Sequence, residues 1–175
     1  MFREMKKSPE QPPLDTVSQL SGLMFERKEA DALELVKRLA DVLMTSPDGH
    51  TILGLACAWN CPLVVDYLLK DRKVSVDFPN AAGITPLMAA CRHGHFELVN
   101  YLIGENADLL AQSKSGDTAL ICAVESGKLP IVKLLIENNV SPFLIQSSTG
   151  FSMVRIAELE SYPQIAGYLR TLGVS

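Results

Sequence analysis

The side chains best suited to metal or nucleophile chemistry are Cys57, Cys61, Cys91 and Cys122, together with His93 and His95. Structural zinc sites hold cysteines about two to four residues apart in turns, twice over, and here only Cys57 and Cys61 are that close. Cys91, His93 and His95 are the one cluster of metal-ligand types. They alternate along the end of a predicted helix and its turn, so they do not converge as residues at i and i+4 would. The expectation is a packed Cys91, a turn histidine at His95, an exposed His93 and no metal. A thiol nucleophile needs a thiolate beside a base in an open cleft, whereas Cys57 and Cys91 occupy a small-residue column that packs against its neighbour. Gly94 and Gly127 end helices, while phosphate-cradling glycines precede them. Lys70-Asp-Arg-Lys73 reads as a solvated helix end whose cations suit the C-terminal dipole, rather than as a site for an acidic ligand. Ser8-Pro9 has the form of a phosphorylation site and equally of a chance dipeptide. No catalytic residue and no cofactor is expected.

Charge and composition narrow the classes further. The 175 residues carry 16 Lys and Arg against 20 Asp and Glu, a net charge of −4, which opposes sequence-independent binding to nucleic acid. With 47% hydrophobic and 21% charged residues the chain folds and is long enough to bury a core. A chain of this size does not need disulfide staples, so a reducing compartment, cytoplasm or nucleus, is expected. Met1-Phe-Arg-Glu-Met-Lys-Lys is followed by no apolar run, and no stretch of about 18 apolar residues occurs, so neither secretion nor membrane insertion is expected.

The elements that position these residues repeat. Glycines stand at Gly49, Gly83, Gly116 and Gly150, separated by 34, 33 and 34 residues. After each comes a hydroxyl (Thr51, Thr85, Thr118, Ser152), then an apolar residue (Leu53, Leu87, Leu120, Val154), then an alanine (Ala56, Ala90, Ala123, Ala157). Further on, Val64, Leu98, Ile131 and Ile165 share one register, as do Leu68, Leu102, Leu135 and Leu169. The hydroxyl is a helix N-cap, and Pro86 suits the first helical position, where its missing N–H costs nothing. The first helix of each unit runs about two turns to Gly94 or Gly127, with Asn60 as the equivalent left-handed stop in the first unit. Pro62, Pro130 and Pro163 then open a second helix with one apolar face. Turn residues such as Phe78-Pro-Asn-Ala-Ala-Gly83 and Gln112-Ser-Lys-Ser-Gly116 join successive pairs.

Residues 16–45 hold a further helix pair without the glycine–threonine signature, read as an N-terminal helical cap. Its second helix is expected to open at Asp31-x-x-Glu34 as a capping box, with Leu35, Val36, Leu39, Ala40 and Leu43 on one face. Residues 1–15, with Pro9, Pro12 and Pro13, form an expected mobile tail. Residues 46–175 hold four units. The last puts Glu158 where its siblings have Cys57, Cys91 and Val124, as suits a C-terminal cap facing water.

Gly83-Ile-Thr-Pro-Leu-Met-Ala-Ala-Cys-Arg-His-Gly-His-Phe-Glu-Leu-Val-Asn-Tyr-Leu-Ile, closed by Asn106-Ala-Asp, resembles an ankyrin repeat, whose signature T-P-L-H-x-A has a period of about 33 residues. Gly116-Asp-Thr-Ala-Leu-Ile-Cys-Ala-Val matches well, Gly49-His-Thr-Ile-Leu-Gly-Leu-Ala-Cys less well and the fourth unit least. The resemblance covers roughly residues 48–172. It implies an all-α ankyrin-repeat solenoid of stacked helix-turn-helix units with short turns between repeats, acting as a non-catalytic protein-binding module. The signature histidine is replaced by Gly54, Met88, Ile121 and Arg155, which removes its usual hydrogen bonds across neighbouring loops. The asparagine that is hydroxylated in the family is Asp77, Leu110 and Leu144 here, so no such modification is expected.

In such a stack one concave side gathers the residues two before and one after each repeat glycine, and the last two of each first helix. Partner contacts are therefore expected at Trp59, Ala81, Ile84, Arg92, His93, Lys114, Asp117, Glu125 and Phe151, among Ala58, Ala82, Ser126, Ser148 and Leu159. Trp59 has two readings: a recognition anchor, or a ring folded over the cap helices that completes the first unit. The expectation is a monomer that binds another protein as adaptor, scaffold or inhibitor through this face, without nucleic acid or membrane. One alternative is a structural subunit or effector using the convex second-helix face. Another is an enzyme accessory or effector whose short tail carries an activity, which fifteen residues cannot build without a larger parent chain or a partner. Without metal or disulfide, Cys57, Cys91 and Cys122 act as small hydrophobes. Chelator and reductant should leave the far-UV CD melt unshifted, and native mass spectrometry should give the bare chain mass. A stoichiometric zinc adduct would contradict the reading of His93 and His95.

Overall fold

The computed structural model describes residues 16–143 and 150–174; the tail over 1–15 with Ser8-Pro9, and positions Leu144 and Ser148, lie outside the described residues. The helices come in pairs: α1 (Thr16–Phe25) with α2 (Glu29–Arg38), α3 (Ile52–Ala58) with α4 (Pro62–Lys70), and α5 (Pro86–His93) with α6 (Phe96–Gly104). They continue with α7 (Ala119–Glu125) and α8 (Leu129–Glu137), then α9 (Met153–Leu159) and α10 (Pro163–Thr171). Among the described residues, the extended pairing is one isolated antiparallel bridge, Thr45 to Thr51. The fold is an all-α solenoid.

Each repeated residue type has its local cause. The hydroxyls of Thr51, Thr85, Thr118 and Ser152 accept hydrogen bonds from the backbone N–H three residues on, at 3.0 to 3.3 Å, and so cap α3, α5, α7 and α9. Pro62, Pro86 and Pro163 open α4, α5 and α10, and Pro130 is second in α8. The chain reverses after each first helix through a left-handed residue: Asn60, Gly94, Gly127 and, unannounced by its type, Ser161 at φ 64°. At Gly127 the requirement is double, because φ is +71° and a Cβ would meet the Tyr162 ring at 2.5 Å.

The four apolar columns read from the sequence are all buried, with Leu87, Leu120, Leu68, Leu102, Leu135 and Leu169 wholly so. Ala56, Ala90, Ala123 and Ala157 are also fully buried and let successive first helices approach closely, α1 on α3, α3 on α5, α5 on α7 and α7 on α9. Cys57, Cys91 and Cys122 are buried free thiols within these helices. Cys61 lies outside the helices: it precedes α4, where its thiol donates weakly to the Trp59 carbonyl at 3.8 Å.

The first pair differs from its reading. Helix α2 starts at Glu29, two residues before the expected capping box, with no side-chain cap, and the Leu39 backbone turns extended at ψ 130°. Ala40 and Leu43 therefore leave the helical face and are exposed, and Val42 is buried instead. Glu29 has another task, since its carboxylate accepts from the Leu63 N–H at the start of α4 at 2.6 Å. Arg72 of the charged cluster reaches back to donate to the carbonyls of Leu39 and Ala40 at 2.9 and 3.0 Å, which fastens the first pair to the second.

Cross-loop bonding survives the missing signature histidine through the backbone itself. Ala81 N–H donates to the Gly49 carbonyl at 2.9 Å and Lys114 N–H to the Ala82 carbonyl at 3.0 Å. Gly49, at φ +78°, leaves no room for a Cβ because the Ala81 methyl occupies that space. Asp77 takes the hydroxylation position yet accepts from the Asp108 N–H at 2.9 Å, linking the second loop to the third. Because no pair buries its apolar face alone, Leu87→Ala and Leu120→Ala should each cost about 2 to 5 kcal/mol and lower one shared unfolding transition. Urea melts showing less than about half a kcal/mol of change would refute the register.

Candidate protein-interaction surface

The sequence places Trp59, His93, Ser126 and Glu160 in one register, and Ala58, Arg92, Glu125 and Leu159 in the one before it. Both rows end the first helices, so they run across the stack on the side bearing the loop tips. Between the first two of these units lies a hollow of about 560 Å3. Small residues Gly54, Ala58, Ala82 and Ala89 line it together with Leu55 and Ile84. Trp59, Arg92 and His93 complete its rim, so four of the expected contact residues, Trp59, Ile84, Arg92 and His93, come together.

Trp59 takes part of each of its two readings. Its ring is half-buried, edge-on to Phe25 of α1 at 5.1 Å between centroids, and tilted against His93 at 6.1 Å. Its indole N–H is buried without a hydrogen-bond partner among the described residues. Phe25 itself is 66% exposed, so the aromatic contact sits at the surface. His93 continues the row by stacking on His95, also at 6.1 Å, and the His95 Nε2 lies 2.8 Å from the Ala58 carbonyl. That contact ties the second unit to the first, and His95 is the turn residue expected. Exposed His93 is disfavoured as a cation: partial burial, His95, Arg92 and Lys128 all hold its pKa below the usual histidine value.

The third unit contributes charge. Arg92 stands 3.7 Å from the Asp117 carboxylate and its guanidinium reaches the Cys122 sulfur at 3.5 Å. Asp117 also accepts from the Ser115 hydroxyl at 2.8 Å. Glu125 is half-buried, and burial, Asp117 and Glu160 push its carboxyl pKa upward against the pull of Arg92. The remaining expected residues lie apart from the hollow. Ala81 is exposed at the loop tip and serves through its N–H, and Lys114 likewise bonds through its backbone with its side chain exposed. Phe151 is 43% exposed on the last unit.

Sequence reasoning passed over several residues that line the hollow. His50 follows Gly49 as Ile84 follows Gly83, so the register that selected Ile84 also selects it. Asn80 accepts from the N–H groups of Ala82 and Ile84, both at 2.9 Å, and holds the loop tip in shape. Its spacing to the glycine is a readable turn signal. Ser21, which lines the hollow, and Phe25, which meets the Trp59 ring outside it, carry no such signal, because they reach this side only through the packing of α1 on α3.

Paired helices joined by glycine-tipped loops, with a lined hollow on the loop side, define a helical repeat protein. The ankyrin-repeat family model, described as three copies, matches residues 23–113 and 73–146, and the chain belongs to the ankyrin repeat family. The match begins within α1 and so includes part of the first pair. The chain is 32% identical over 145 residues to Protein fem-1 homolog A-like of Mus musculus, covering 76% of this chain and 22% of that protein. It is 30% identical over 153 residues to the Nuclear factor NF-kappa-B p105 subunit of Gallus gallus, covering 83% of this chain and 15% of that protein. Against the Ankyrin repeat and KH domain-containing protein mask of Drosophila melanogaster it is 38% identical over 94 residues, covering 53% and 2%. The chain thus spans less than a quarter of each of these relatives.

The His93 environment makes a measurable statement. Its NMR titration midpoint should fall below the ordinary value of 6.5. Since a depressed folded-state pKa favours the neutral ring, the fold should lose stability as pH falls through that midpoint, and His93→Gln should flatten this dependence. A midpoint at or above 6.5 would show an anionic neighbour stronger than Arg92 and Lys128.

Proposed function

We propose that this chain is a protein-interaction module that receives a partner protein along its concave side, centred on the hollow between the first and second glycine-marked units. The observation that carries the reading is the juxtaposition of Trp59, Ile84 and Arg92 around a floor of small residues. Tryptophan and arginine dominate binding hot spots because each offers a large contact area in few conformations. Residues equivalent to Trp59 in other units, His93, Ser126 and Glu160, are polar, so the register does not call for a core residue, and packing on Phe25 leaves the ring half-exposed. The module is monomeric and non-catalytic, and acts as adaptor, scaffold or inhibitor in the cytoplasm or nucleus. Burial pushes the Cys57 and Cys91 thiols up, which makes them poor nucleophiles. No helix among the described residues is long and apolar enough to cross a membrane.

The first pair, over 16–45, serves as an N-terminal cap, and the last of the four units as the C-terminal one. The support for the latter is chemical. Cys57, Cys91 and Val124 are fully buried under a following unit, whereas Glu158 is exposed and paired with Arg155 and Arg170. A second reading uses the convex side, where Pro62, Leu63, Asp66, Glu97 and Tyr101 line a groove of about 460 Å3 and Leu63 is 55% exposed.

Affinity purification from the source cell supplies the partner, and alanine variants then rank the faces by calorimetry. Trp59→Ala and Arg92→Ala should each cost about 2 kcal/mol or more of binding, and Asn100→Ala or Lys133→Ala on the second helices about half a kcal/mol or less. Arg92→Ala should do so at unchanged Tm, while Trp59→Ala also loses its packing on Phe25 and lowers it. Dependence on Leu63, Asn100 or Lys133 without Trp59 would assign the interface to the convex side.

A further inference from the structure

The concave side changes chemistry along its length, and the change defines what fits it. Over the first two glycine-marked units it is apolar and aromatic, with Leu55, Trp59, Ala82, Ile84 and Ala89 around the hollow. One cation, Arg92, borders that hollow on the far side, beside the His93 ring, which its surroundings hold toward the neutral form. One unit further the sign reverses. Glu125 ends α7 at the register of Ala58 and Arg92, flanked by Asp117 on the third loop and Glu160 after α9.

Glu125 is the informative residue. It is half-buried, yet its carboxylate makes no hydrogen bond and no ion pair within 4 Å among the described residues. Arg92 does not neutralise it, since that guanidinium stands by Asp117 at 3.7 Å and by the Cys122 sulfur. Half-buried charges are ordinarily paired because partial removal from water is costly. A like-charged pair of neighbours raises that cost. The free chain therefore holds an anion that a complementary cation would relieve, about one and a half helix spacings from the middle of an apolar hollow.

Resting on the concave-face reading above, we propose that the occupant is an extended segment of another protein that sets an apolar side chain in the hollow beside Trp59 and Ile84. It sets a lysine or arginine against Glu125, Asp117 and Glu160. The hollow lies between α3 and α5 and Glu125 ends α7, about one and a half helix spacings of about 8 to 10 Å each, which about four residues of extended chain cover, so the apolar and basic residues stand about four apart.

The probe is a phage-displayed library of random twelve-residue peptides panned on the full chain, with enriched peptides remade and their affinities measured. Enrichment of an apolar residue with Lys or Arg about four positions away, and about tenfold or greater weakening by Glu125→Lys, are expected. Glu125→Gln should weaken binding less while raising Tm, because it removes a half-buried charge from among carboxylates. Peptides that are acidic or lack a basic residue, or that bind Glu125→Lys as well as wild type, would overturn the charge assignment while Trp59→Ala sensitivity still upheld the concave face. Peptides insensitive to both Trp59→Ala and Glu125→Lys would defeat the concave-face reading itself. A lowered Tm in Glu125→Gln would show that the carboxylate is structural, and a library yielding no binder would refute the proposal.

Discussion

Everything in this molecule depends on the close approach of its first helices. Ala56, Ala90, Ala123 and Ala157 present only a methyl group toward the next helix, and each is fully buried. The cysteines and Val124 that follow three of these alanines are sealed by the same contact. A bulkier residue in the alanine column would push one unit off its neighbour, and with it the loop tips that bond across units. The stack is thus a chain of nearest-neighbour interfaces in which no helix pair is self-sufficient.

Loop bonding follows from that spacing and does not need the family's usual histidine. With units held at one distance, the N–H groups of Ala81 and Lys114 meet the carbonyls of Gly49 and Ala82 directly. Side chains add ties wherever their types allow: Glu29 to the start of α4, Tyr101 to Asp66 at 2.7 Å, and His95 to the Ala58 carbonyl. These links differ in chemistry from unit to unit while the helix packing stays the same. Variation is tolerated because the packed columns set the geometry and the polar contacts only have to satisfy groups brought within reach.

The same division explains the outward rows. Positions that end the first helices are excluded from the packed interface, so their identities are free of it, and they range from Trp59 through His93 and Ser126 to Glu160. A surface whose residues vary on a fixed frame can change its chemistry without altering the fold. Glu125 shows the other side of this freedom, as a half-buried carboxylate kept without a partner of its own costs the free chain stability.

The period, the four capping hydroxyls, the buried columns and the family were all legible along the chain, because caps, left-handed turns and helical faces are local and leave residue types at fixed spacing. Four of the expected contact residues, Trp59, Ile84, Arg92 and His93, gather around one hollow on the strength of that register alone. The end of α2 was not legible, since Leu35 to Leu43 keeps an apolar rhythm while Leu39 turns extended, where the Arg72 guanidinium, distant in sequence, bonds its carbonyl. Nor was the left-handed Ser161. Packing between units brings Phe25 to Trp59 and turns Arg92 to Asp117, leaving Glu125 unpaired among the described residues. Those outcomes are set by which side chains from different units arrive together, a distance that no single unit's sequence encodes.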